Sequence, residues 1–159
     1  MRQLTGNKLQ IYIDGGCWPN PGGPASYSIV AFDDQFGDKT YEGIDLGNLR
    51  GKDPFIVEIS GAICENSSNN VAEYFALTRL IENIISHDLC NHRITIFSDS
   101  MLLVNQMSGQ WQVRGGIYKK QYDIAVSMME RYDLWGIKFI FVKRENNIAG
   151  ILLEEWQKV

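Results

Sequence analysis

The chain has 159 residues, 45% hydrophobic and 21% charged, with a formal net charge of −4 and a sequence pI of about 5.1. That length suits one globular domain over residues 1–159 with a core of its own, and the acidic balance argues against tight nonspecific nucleic-acid binding. No apolar run could span a bilayer and the opening residues Met1–Lys8 lack a signal-peptide core, so no membrane contact is expected; a monomer is the expected state, though nothing in the sequence sets it. Cys17, Cys64 and Cys90 are scattered, with no zinc spacing, which suits a reducing, cytoplasmic compartment.

Leu9–Asp14 reads as the first strand. A turn-rich loop, Cys17-Trp18-Pro19-Asn20-Pro21-Gly22-Gly23, separates it from a second strand at Ala25–Phe32. Strand-like pieces follow at Thr40–Ile44 and Phe55–Ile63, with Asp45–Pro54 as an extended loop between them. The stripe Leu77, Leu80, Ile84 predicts a helix from about Val71 to Ile85, with Asn69 or Asn70 as its N-cap. Arg93–Phe97 is a short buried strand, and helices are expected over Ser100–Met107 and Tyr118–Tyr132. Gly136–Val142 is the last strand and Asn147–Lys158 the closing helix. Hairpin-linked strands followed by helix crossovers make an α/β protein, a mixed sheet flanked by helices. Sites in such sheets gather at strand ends.

Three carboxylates stand where folding alone does not require them. Asp14 lies in an apolar strand, where an ionised carboxylate is costly unless paired, hydrogen-bonded or metal-bound; the ordinary alternative is an Asp-Gly turn. Glu73 is in line with Leu77, Leu80 and Ile84 and so points at the sheet, although a first-turn Glu also suits the helix dipole. Asp99 ends the Ile-Thr-Ile-Phe strand; it could cap the next helix, but Ser98 or Ser100 could do so instead. Each has an ordinary explanation alone. Aimed together at one sheet edge they need a counter-ion, and hard oxygen ligands suit Mg²⁺ or Mn²⁺.

Tyr12-Ile13-Asp14-Gly15-Gly16-Cys17-Trp18-Pro19-Asn20-Pro21-Gly22, then Asn69-Asn70-Val71-Ala72-Glu73, then Phe97-Ser98-Asp99-Ser100 with Leu103-Val104-Asn105, form an ordered set. With Met107–Arg114 after it, this set resembles type 1 ribonuclease H over nearly the whole chain. The resemblance implies a ribonuclease H-like fold with a five-stranded mixed sheet, three antiparallel strands then two parallel. It implies metal-binding catalytic carboxylates at Asp14, Glu73 and Asp99, with Gly15 among the metal-site residues. It places Cys17, Asn20, Asn69, Asn70 and Ser100 against an RNA–DNA hybrid, and Trp111 with Lys119 and Lys120 near the DNA strand. The implied reaction is hydrolysis of the RNA strand of a hybrid with one or two Mg²⁺ or Mn²⁺ ions, leaving a 5′-phosphate and a 3′-hydroxyl.

The resemblance breaks at one ligand. The family's pattern Arg-Glu-x-Asn-x-x-Ala-Asp-x-Leu falls on Arg144–Leu153, and Ile151 stands where the fourth carboxylate belongs. Three readings stand: a weakened or metal-hungry nuclease, a nucleic-acid-binding module on the same fold that no longer cleaves, or a substitution introduced at that position. Glu154 and Glu155 lie one helical turn on and are candidates to compensate, against a solvated helix end as the simpler view. Met101 is a second departure, at a position where many members carry a hybrid-contacting Gln. An unrelated phosphoryl-transfer enzyme on the same fold is a further alternative, one that leaves Asn20 and Asn70 unexplained. From Trp111 to Arg144 seven basic residues face three acidic ones, a patch suited to phosphates or an ordinary solvated helix face.

Overall fold

The computed structural model describes residues 3–33, 54, 56–61 and 67–158. The expected strand at Thr40–Ile44 and most of the Asp45–Pro54 loop lie outside them. The described elements are β1 (Lys8–Cys17), β2 (Ala25–Asp33), β3 (Ile56–Ser60), α1 (Asn69–Ser86), β4 (Arg93–Ser98), α2 (Met101–Met107), α3 (Lys119–Arg131), β5 (Lys138–Phe141) and α4 (Ile148–Gln157). The strands form one sheet in the order β3-β2-β1-β4-β5. β1 runs antiparallel to β2, and β2 to β3, while β1 and β4, then β4 and β5, are parallel. The expected mixed five-stranded sheet is therefore present.

Period-two alternation in β1 divides the interior into two cores. Leu9, Ile11 and Ile13 pack with Leu77, Leu80, Ile81 and Ile84 of α1 and with Ala125 and Met129 of α3. Tyr12 points to the opposite face, where it meets Val30, Phe32, Phe97 and the first turn of α4 through Ile148 and Ala149. The Tyr12 and Phe97 rings stack with centroids 4.7 Å apart. Burial on both faces accounts for the near-continuous apolar run in β1. Between the helices, the Tyr74 hydroxyl donates to Gln106 Oε1 at 2.6 Å and Gln106 Nε2 donates to the Tyr118 hydroxyl at 3.0 Å. That buried relay ties α1 and α2 to the approach to α3.

The expected N-cap of α1 is corrected by one or two residues. Ser68, not Asn69 or Asn70, caps the helix, its hydroxyl accepting from Val71 N at 3.2 Å. Both asparagines fall in the first turn instead. Gly15 sets how close α1 comes to β1: a Cβ there would collide with the backbone carbonyl of Ala72 and the amide of Glu73. Gly15→Ala is therefore expected to cost about 3 kcal/mol, the upper range for overpacking against backbone. Urea denaturation measures it; a loss below about 1 kcal/mol would mean that α1 can retreat from β1 without penalty.

Candidate metal centre and nucleic-acid face

β1 and β4 run parallel with Tyr12 beside Phe97. Two residues further on, Asp14 stands within β1 and Asp99 directly follows the carboxyl end of β4. The close packing of α1 on Gly15 brings Glu73 beside them. The three carboxylates offer oxygens that all lie within 4.8 Å of one another. Asp99 is free for this because the residues on either side of it take up the local duties. Ser98 Oγ accepts from Ser100 N at 3.0 Å, and Ser100 caps α2 by accepting from Leu103 N at 3.2 Å.

Electrostatics at the cluster runs against three ionised groups. Burial and then the charge of Asp99 push the Asp14 carboxyl up to about 7, partly offset by a hydrogen bond with Glu73 and the positive charge of Arg144. Burial, then the charges of Asp14 and Asp99, raise Glu73 well above the ordinary carboxylate range. Burial raises Asp99, while the Asn147 hydrogen bond and Arg144 pull it back. Glu73 is only 6% exposed, and its Oε2 has no hydrogen-bond partner within the protein. An orphaned carboxylate oxygen beside two others is a donor set that fits a hard divalent cation, which would relieve both the desolvation and the repulsion. Asp14, Glu73 and Asp99 are the residues able to hold one.

Asn147 joins the site at the start of α4, whereas in the sequence it is only the Asn of the Arg144–Leu153 pattern. It is fully buried. Its Nδ2 donates to Ile13 O at 3.0 Å and to Asp99 Oδ2 at 3.3 Å, while its Oδ1 caps α4 by accepting from Ala149 N at 3.2 Å. One amide thus fixes the helix start, the strand before Asp14 and the orientation of Asp99. The Asn in the Asn147-Ile-Ala-Gly segment was visible in the sequence, but its two distant partners were not. At Gly150 a Cβ would lie 3.2 Å from Asp14 Oδ2 and 3.7 Å from Asp99 Oδ2, so the first turn of α4 abuts the cluster. Ile151, the next residue, is partly buried and supplies no ligand. Glu154 is occupied by Arg144, Nη2 to Oε1 at 3.0 Å, and Glu155 is exposed. Neither belongs to the three-carboxylate group found among the described residues.

The loop after β1 and the start of α1 are stitched together beside this cluster. Asn20 Oδ1 accepts from Asn69 N at 3.0 Å, and Asn69 Oδ1 accepts from Cys17 N at 2.9 Å. The buried Cys17 thiol donates to Pro19 O at 3.0 Å. With both amide oxygens engaged within the protein, the exposed Asn20 and Asn69 keep their Nδ2 groups as donors. Asn70 is exposed in the first turn of α1, and Ser100 is partly buried in its capping role. Trp111 is 47% exposed beyond α2, with its backbone amide on Asn105 O. It lies on the segment that leads to α3. There Lys119 pairs with Asp123 at 2.8 Å. Among the described residues no helix is long and apolar enough to cross a membrane.

Comparison with known proteins places this arrangement. The family model described as reverse transcriptase-like matches residues 49–153. Among solved structures, the LC11 RNase H1 in complex with an RNA/DNA hybrid is similar with 25% identity and a TM-score of 0.70, over 92% of this chain and 94% of that one. A structure of LC11 RNase H1 isolated from compost by a metagenomic approach gives 29% identity and a TM-score of 0.66, over 93% of each chain. The N-terminal RNase H domain of a Mycobacterium tuberculosis protein, solved as a fusion with maltose binding protein, shares the fold at 23% identity and a TM-score of 0.69, over 96% of this chain and 98% of that one. The chain belongs to the reverse transcriptase-like family, within the type 1 ribonuclease H-like superfamily.

Proposed function

We propose that the protein is a divalent-metal-dependent endoribonuclease that cleaves the RNA strand of RNA–DNA hybrids, weakened by the isoleucine at position 151. The observation that carries this reading is the carboxylate cluster: three acids within 4.8 Å, with one buried oxygen of Glu73 left unpartnered. Bound Mg²⁺ or Mn²⁺ would supply Lewis-acid activation of water and charge neutralisation at the phosphate. Asp14, Glu73 and Asp99 hold the site and set its net charge, and Asn147 keeps Asp99 in place. The Nδ2 groups of Asn20 and Asn69, with Asn70 beside them, are donors matched to minor-groove acceptors and 2′-hydroxyls, the groups that mark an RNA strand. Cys17 anchors that loop, Ser100 holds the turn beyond Asp99, and Trp111 with the Lys119–Lys120 segment is suited to the DNA strand. The likeness to an RNase H1 structure solved with a hybrid supports this substrate class. The protein would act as a monomer, as a single domain over residues 1–159, in a reducing cytoplasmic setting.

A hybrid labelled on its RNA strand tests the proposal. With Mn²⁺ or Mg²⁺ it should be cut to 5′-phosphate products, while duplex DNA and the labelled strand alone are spared. Binding without metal should weaken steeply with salt as phosphate contacts are lost. A second reading, a hybrid-binding module without cleavage, is favoured by Ile151 alone. It predicts the same salt-dependent binding with no cutting at any metal concentration. Absence of both binding at low salt and cleavage would end both readings.

A further inference from the structure

Trp18 is 82% exposed, more than any other large hydrophobic residue among those described. The backbone that carries it is held firmly. Gly23 N donates to Pro19 O at 2.8 Å, and a Cβ on Gly23 would collide with the carbonyl of Trp18. Gly22 N donates to Ser67 O at 2.7 Å and Ser67 N to Gly23 O at 3.0 Å, tying the loop to the start of α1. Cys17 and Asn20, on either side of the indole, take part in the bonds to Asn69 described above. An indole held in water on a fixed loop forgoes the burial that normally accompanies such a side chain. It is therefore available to a partner that can cover it. Its neighbours identify the chemistry: exposed amides at Asn20 and Asn69, and the Asp14 carboxylate on the strand that leads into the loop.

We infer that Trp18 is a nucleotide-contacting residue whose indole packs on the sugar and base edge of the hybrid beside the Asn20 and Asn69 amides. The inference rests on the hybrid-cleaving reading above. An aromatic face is tolerant of sequence, so Trp18 adds affinity and register rather than base choice, as apolar wedges and stacking platforms do elsewhere. It touches no phosphate, so its contribution is independent of counterion release.

Anisotropy of a fluorescently labelled hybrid, titrated in chelator over a range of salt, separates the outcomes. Trp18→Ala should bind about tenfold more weakly, the scale of one stacked base, with an unchanged salt slope and an unchanged melting temperature. Trp18→Phe should recover most of the loss. In steady-state cleavage with Mn²⁺, Trp18→Ala should raise KM and leave kcat as it was. Wild-type affinity in Trp18→Ala would overturn the inference. So would a Phe variant as weak as the Ala variant, or a changed salt slope, because either would mean loop distortion or a phosphate contact. Failure of the unaltered protein to bind the hybrid at all would instead remove the functional reading and this inference with it.

Discussion

Asp14→Asn is expected to reduce hybrid cleavage by on the order of a thousandfold, comparable to the loss of a major charge-stabilising group in other active sites. The same change should stabilise the metal-free protein. Asp14 is held at about 7 against an ordinary value of 3.8, chiefly by burial and by the charge of Asp99. Between those values the folded protein binds more protons than the unfolded chain. Stability therefore falls as pH rises through that window, by up to about 1.4 kcal/mol per pH unit for this group, and the penalty is complete above about pH 7. Removing the charge relieves it, worth roughly 2–4 °C in melting temperature for each kcal/mol. Mn²⁺ should stabilise the unaltered protein more at pH 8 than at pH 5.5, because protons and metal compete for the same oxygens. Thermal melts at the two pH values, with and without Mn²⁺, measure this. Cleavage that persists unchanged in Asp14→Asn would trace the activity to another nuclease. A pH-independent metal effect would mean that the cluster is not the binding site.

Ile151→Asp should act in the opposite direction, raising cleavage by at least about tenfold and lowering the metal concentration needed. It should also change what the protein binds. Three carboxylates packed within 4.8 Å suit a single cation. A fourth, in the first turn of α4 beside Gly150, adds ligands for another. Titration calorimetry with Mn²⁺ should accordingly move from one ion per chain to two. Without metal the variant should be less stable, since it adds a like charge to a crowded site, although a first-turn Asp gains a little from the helix dipole. Glu154 does not fill this role because Arg144 holds it at 3.0 Å. If both rate and stoichiometry stay as they were in a folded variant, Ile151 is not the missing ligand position and the alignment of Arg144–Leu153 is wrong.

The amino-acid order by itself determined the succession of strands and helices among the described residues, because apolar period and turn chemistry are local properties. Asp14, Glu73 and Asp99 were legible for the same reason: each lies in, or directly after, an element whose period says which way it points. Helix ends were less legible, since Ser68, Asn69 and Asn70 are all competent caps and only backbone geometry chose Ser68. The tertiary structure alone decided the rest. The collision that any side chain at Gly15 would cause with α1, the double use of Asn147 across 134 and 48 residues of sequence, and the diversion of Glu154 to Arg144 are contacts between distant segments. The bonds accepted by the Asn20 and Asn69 amide oxygens belong with them. Periodicity reports which face a residue is on, whereas packing and hydrogen-bond partners decide what it finds there.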